Sequence, residues 1–281
     1  MAMKKTLFSS ALVTACVFSA SVGAATNAVP SCYDSKLVAP ATPMTKEIFV
    51  LIDQTTLLDD TLKQAVAEQI RPFLIKGNAF SVLVFSAFTQ GKYTQLLSAG
   101  QLDHALPEAL RNDISKTVLT KFDQCVARQP ALAAQAVGSA LREAFAGSSG
   151  AIAKSDVLAS LKDMSGKVRQ SPATEKVVLL VSDMLENSSV SSFYASQSVR
   201  RIEPEKEMKL VMDNQLSADF ASARLYVLGA GLLSDDAIKN KASYRDPKTM
   251  QALARFWKSY FDKSNAQLIE FGQPALLNQV K

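Results

Sequence analysis

The chain has 281 residues, nearly half of them apolar and a fifth charged, with a formal net charge of +5. No block of five like charges occurs and the few aromatics do not interleave with basic residues, so neither a nucleic-acid surface nor a disordered tail is indicated. Beyond the N-terminal segment no apolar run has the length a membrane span requires.

Residues 1–25 have the form of a secretory signal peptide. Lys4 and Lys5 make a short positive start, the stretch from Leu7 to Val22 is apolar or small, and Val22-Gly23-Ala24 suits cleavage. The run Val13-Thr14-Ala15-Cys16 resembles a bacterial lipobox, an alternative that makes Cys16 a lipidated N-terminus. The apolar stretch continues past it through Val17, Phe18 and Ala20, which favours the soluble product. The expectation is a periplasmic or otherwise exported protein of about 256 residues, long enough for one large α/β domain or two small ones. Losing Lys4 and Lys5 lowers the charge from +5 to about +3.

Two cysteines remain after cleavage, Cys32 and Cys125. An even count in an exported chain suggests a disulfide, which would contribute about 3–5 kcal/mol by restricting the unfolded chain. The alternative is two buried free thiols. The pair is too sparse for a zinc site, and the single histidine, His104, is distant from both in sequence.

In chain order, residues 26–45 carry Pro30, Pro40 and Pro43 and read as an extended arm; residues 46–281 form the domain. Glu47 to Asp53 is apolar on both faces, the mark of a strand buried on both sides of a parallel sheet. Leu57 to Phe73 repeats apolar residues at helical spacing. Phe80 to Phe85 is a second buried strand, and after a turn at Gln90-Gly91 the segment Lys92 to Leu97 returns as an antiparallel edge strand. Leu102 to Ala127 is helical but interrupted at Pro107, and Leu132 to Ala146 is a separate Ala-rich helix closed by Gly147. A helix from Ile152 to Val168 precedes Lys176 to Asp183, the most apolar strand. A serine-rich loop follows from Glu186 to Ser198. The remainder alternates helix and strand: Glu205–Phe220, Arg224–Gly229, Thr249–Phe261 and Ala266–Phe271. Trp257 on the penultimate element reads as a helix-to-sheet packing residue. This order predicts an α/β fold: a doubly wound, mostly parallel central sheet with one antiparallel edge strand and helices on both faces.

In such sheets ligands bind beyond the carboxyl ends of the strands. Two buried strands end there in aspartate followed by polar sequence, Asp53-Gln54-Thr55-Thr56 and Ser182-Asp183-Met184-Leu185-Glu186. Carboxylates beside a threonine hydroxyl are hard oxygen ligands suited to Mg²⁺ or Mn²⁺. Asp-x-Thr before a helix is also an N-cap, and that reading stays open.

Phe49-Val50-Leu51-Ile52-Asp53-Gln54-Thr55 resembles the first strand and the Asp-x-Ser-x-Ser start of the metal-ion-dependent adhesion site in von Willebrand factor A domains. Val177 to Asp183 is similar to the strand ending in Ser-Asp-Gly that supplies that site's second aspartate. The resemblance covers roughly Lys46 to Gly272 and rests on strand order and two short motifs. It implies a metal site of Asp53, Thr55 and Asp183, and a protein partner engaged through the strand-end face with Mg²⁺ or Mn²⁺. Thr56, Glu186, Phe193 and Tyr194 are then the expected partner contacts.

The chain departs from the family pattern at Leu57, where a third hydroxyl is expected, and at Met184, where glycine is usual. The family's separate threonine ligand has only Thr117 and Thr120 as candidates. Binding rather than catalysis is the expectation: no Gly-x-Ser-x-Gly elbow occurs, and Gly229-Ala230-Gly231 lacks the further glycine and lysine of a phosphate loop. A structural component of an envelope or conjugation-type assembly and a Mg-dependent phosphoesterase are the alternatives.

Overall fold

The computed structural model describes residues 27–281 except 35–36, 38, 40, 90–91, 150–153, 196–197 and 233–245. The expected signal peptide and Cys16 lie outside the described residues.

One sheet is built from β1 (Lys46–Asp53), β2 (Ala79–Thr89), β3 (Lys92–Gln101), β4 (Glu175–Val181), β7 (Ala223–Leu228) and β8 (Ala266–Phe271). Across it the six strands run in the order β3-β2-β1-β4-β7-β8. Every pairing is parallel except β2 with β3, so the expected antiparallel edge strand is present. Tyr194–Ala195 and Ser198–Val199 make a separate two-stranded hairpin, β5 and β6.

Alternation within the apolar strands builds two cores. Phe49, Leu51, Val178, Leu180, Leu225 and Val227 point to the side covered by α4 (Val157–Gln170), α5 (Pro204–Asp213) and α6 (Pro247–Lys263). Ile48, Val50, Ile52, Val177, Leu179 and Val181 point to the side covered by α1 (Asp60–Ile70) and α3 (Lys116–Ala146). Successive side chains of a strand alternate faces, so a strand covered on both sides must be apolar at every position. The fold is Rossmann-like.

The long helical region differs from expectation. Past Leu102 the chain is irregular until a short helix, α2 (Glu108–Arg111), and α3 then runs unbroken through Pro130. An interior proline removes a helical hydrogen bond. Here Phe122, Val126, Gln129, Ala133, Val137 and Ala140 nevertheless form one buried stripe at three- and four-residue spacing across it. Burial of that stripe outweighs the local break. The helix expected over Glu205–Phe220 ends at Asp213, where Asn214 to Phe220 turns back toward the sheet.

The N-terminal arm is bound to the domain. Cys32 and Cys125 are joined, with Cα atoms 5.8 Å apart, which ties the arm to α3. Val29 is fully buried, the Ala28 N–H donates to the Ala99 carbonyl of β3, and Asp103 accepts from the Cys32 N–H and from Gln129. No described helix is long and apolar enough to cross a membrane.

Candidate carboxylate site at the strand ends

Strands β1 and β4 are neighbours in register, Ile52 opposite Val181, so Asp53 and the Ser182-Asp183 pair leave the sheet side by side on the same rim. Neither aspartate caps a helix. The α1 N-cap is Asp59, which accepts from the Leu62 N–H at 2.8 Å. Past Asp183 the chain enters irregular structure.

Asp53 is fully buried and receives four bonds. Its Oδ1 accepts from the Thr55 N–H at 2.9 Å and the Thr55 hydroxyl at 2.6 Å. Its Oδ2 accepts from the hydroxyls of Ser182 at 2.8 Å and Ser155 at 3.2 Å. Asp183, 5% exposed, accepts at Oδ1 from the Leu185 N–H at 2.8 Å and at Oδ2 from the Tyr194 phenol at 3.1 Å. The Thr56 hydroxyl accepts from the Asp183 N–H at 3.0 Å, locking the two strand ends together.

No lysine, arginine or histidine among the described residues bonds either carboxylate. Burial drives the Asp53 carboxyl above the ordinary carboxylate range, against the pull of its hydroxyl donors. Burial, then the proximity of Asp53, drives Asp183 well above it. The backbone supports the arrangement from below. The Gly231 N–H donates to the Asp183 carbonyl, and Gly229, at φ +105°, passes so close that a Cβ there would stand 3.1 Å from the Ser182 carbonyl oxygen. Glycine alone suits that conformation.

The structure brings Asp53, Thr55, Thr56 and Asp183 together, and adds two hydroxyls that sequence reasoning passed over. Ser182 stood inside the quoted motif. Ser155 stands on the loop before α4, 102 residues beyond Asp53, where a lone serine carries no periodic signal. Thr117 and Thr120, the candidates for a separate hydroxyl ligand, lie in the first turns of α3, where Thr120 bonds the Lys116 carbonyl of its own helix.

Three of the expected partner contacts require correction. Phe193 is fully buried, packed edge-on against Phe256 and Trp257 at ring-centroid distances of 5.4 and 6.4 Å. Glu186 is 1% exposed and accepts from the Leu158 N–H at the start of α4. Thr56 is buried, with its hydroxyl facing Asp183. The serine-rich segment is thus a packed cover rather than a free loop, because it carries the aromatic that completes the α6 cluster. Tyr194 is only partly buried and reaches the site itself. Trp257 is fully buried as a packing residue, and its indole N–H donates to the Met184 carbonyl at 2.9 Å. Met184 takes φ +61° at the position where the adhesion-site family has glycine.

No protein-family model matches the sequence, and no curated protein sequence matches it. Among solved structures, the PilB minor pilin from Streptococcus sanguinis shows a distant likeness, with a TM-score of 0.38 and 11% sequence identity over 79% of this chain. The chain spans 62% of that protein's length.

Proposed function

We propose that the chain is an exported binding module of the von Willebrand A type, whose strand-end rim takes a Mg²⁺ or Mn²⁺ ion and, with it, an acidic group of a protein partner. One observation carries this reading. Two buried carboxylates stand on adjacent central strands, surrounded by the hydroxyls of Thr55, Thr56, Ser155 and Ser182, with no cationic side chain among the described residues bonded to either.

The donor set fits such an ion. All of its atoms are hard oxygens, and the Thr55, Ser155 and Ser182 hydroxyls donate to Asp53 while keeping lone pairs to offer. An ion there would supply the positive charge that the rim lacks. The chain's own residues do the positioning. Thr55, Ser155 and Ser182 fix both Asp53 oxygens, and Thr56 holds the backbone of Asp183. Leu57 is half-exposed and offers no third hydroxyl, so Ser155 is the residue that replaces it in the donor set. Export is supported by the form of residues 1–25 together with the Cys32–Cys125 bond, which an oxidising compartment permits.

The test is Mn²⁺ uptake by the intact protein, followed by electron paramagnetic resonance of the free ion. Wild type takes up one equivalent, and Asp53→Asn and Asp183→Asn each bind at least about tenfold more weakly, the loss expected for a charged ligand made neutral. Equal binding by wild type and both variants, or none by wild type at millimolar Mn²⁺, removes the metal from the reading.

A further inference from the structure

The two carboxylates of the rim are satisfied in different ways. The Asp53 oxygens are held by Thr55 and Ser182, just beyond the ends of β1 and β4, and by Ser155 in the loop before α4, all part of the frame of the domain. The Asp183 Oδ2 is held by the phenol of Tyr194, a residue of the β5–β6 hairpin that forms no part of the main sheet.

The residues flanking Tyr194 are firmly anchored. Phe193 sits in the α6 aromatic cluster, and its N–H donates to the Glu186 carbonyl at 2.8 Å. The Arg200 N–H donates back to the Phe193 carbonyl at 2.9 Å. Its guanidinium donates to the Ser192 carbonyl and to Glu207, and lies over the Phe193 ring at 5.6 Å. Among the described residues Tyr194 pairs with Val199 across the hairpin, its N–H donates to the Ser192 hydroxyl, its ring packs at the edge of the core on the α6 side, and its side chain makes one hydrogen bond, to Asp183. Swinging its phenol aside breaks that bond and the ring's contact with the edge of the core, and leaves the anchors in place. With the phenol in place, Asp183 is 5% exposed.

From this division between anchor and lever we infer that Tyr194 is a gate on the strand-end site: its hydroxyl occupies Oδ2 of Asp183 until a cation or an acidic partner displaces it. The inference rests on the proposed metal-binding reading. A net hydrogen bond to a charged group corresponds to about a tenfold to hundredfold factor in an equilibrium constant. That is enough to make uptake conditional while leaving it reachable.

The chain contains its own reporter. Trp257 is its single tryptophan, and the indole N–H is bonded to the carbonyl of Met184, next to Asp183. Quenching of Trp257 fluorescence by Mn²⁺ is measured on the intact wild type, Tyr194→Phe, Tyr194→Ala and Asp53→Asn, with circular dichroism confirming that each is folded. Tyr194→Phe keeps the ring and removes only the donor, and it is expected to take up Mn²⁺ about tenfold more tightly than wild type. Tyr194→Ala is expected to bind at least as tightly as Tyr194→Phe, and Asp53→Asn abolishes quenching. Equal or weaker uptake by Tyr194→Phe, with Asp53→Asn still abolishing it, overturns the gate and leaves the metal site standing. Absence of quenching in wild type and both Tyr194 variants overturns the metal site and the gate together.

Discussion

Strands β1 and β4 carry carboxylates at both ends, and the two sets differ: among the described residues one of the pair at the amino end has basic partners, and none of the three at the carboxyl end does. At the amino end Glu175 lies between Lys46 at 3.1 Å and Arg224 at 2.9 Å, and these bonds hold its carboxyl below the usual range. Glu47 beside it is a single buried carboxylate, bonded by the hydroxyls of Ser81 and Ser171 and by no basic side chain among the described residues. At the carboxyl end Asp53, Asp183 and Glu186 are all buried, no basic side chain among the described residues bonds them, and burial raises all three. Charges that serve only the fold are normally paired or left to solvent. A cluster held against that rule costs stability and points to work at that end.

The largest expected effect is on pH dependence at the uncompensated end. Burial raises Glu186 from 4.5 to about 7. A folded-state value above the unfolded one means that the folded protein holds a proton the unfolded chain releases. The associated stability is therefore complete below about pH 4.5 and is lost as pH rises through about 7. The difference corresponds to roughly 3 kcal/mol. Urea unfolding with chelator present should show wild type losing stability between about pH 5 and pH 8, and Glu186→Gln should flatten that slope. Parallel slopes in the two proteins would show that Glu186 is not a source of the imbalance.

Smaller is the effect of relieving the repulsion between the two aspartates. In chelator at neutral pH, Asp183→Asn removes a buried carboxylate that Asp53 disfavours, while the amide oxygen still accepts from the Leu185 N–H. The variant should be more stable than wild type, because burial and then Asp53 both disfavour the charge that the substitution removes. Adding Mn²⁺ should narrow or reverse the order, because wild type, which binds the ion more tightly, gains more from it. A variant less stable than wild type in chelator would mean that the carboxylate serves the fold, erasing the contrast between the two ends.

Much of this contrast was legible in the sequence. Continuous apolar runs ending in Asp53 and Asp183 pointed to the parallel strands and their rim, since full burial on two faces leaves no room for alternation. The edge strand β3 and the bond between Cys32 and Cys125 were likewise readable from turn residues and an even cysteine count. What failed had no local signal. Pro130 looks like a helix terminus, and only the stripe from Phe122 to Ala140, packed first against the N-terminal arm and Leu106 and then from Ala133 on in the core with α1 and the sheet, carries α3 through it. Phe193 in a serine-rich segment looks like an exposed contact until Phe256 and Trp257, about 60 residues later, supply its pocket. Ser155 becomes a site residue only when the loop before α4 returns to the β1 rim.

The smallest effect belongs to the compensated end. Glu175 is 41% exposed, and its partners Lys46 and Arg224 are 32% and 30% exposed, so solvent screens both ion pairs. Exposed pairs of this kind contribute about 0–1 kcal/mol. Because the folded-state value of Glu175 lies below its ordinary one, its contribution is present above about pH 4.5 and fades as pH falls through the lowered value. Glu175→Gln should therefore cost less than about 1 kcal/mol at pH 7 and progressively less as pH falls through the lowered value, with the increment shrinking as salt is added. That dependence is opposite in sign to the one expected for Glu186. Measuring the two variants across the same pH series sets the ends of β1 and β4 against each other in one experiment. If both slopes ran in the same direction, the carboxyl end would be an ordinary part of the fold, and a bound cation would no longer be needed to account for it.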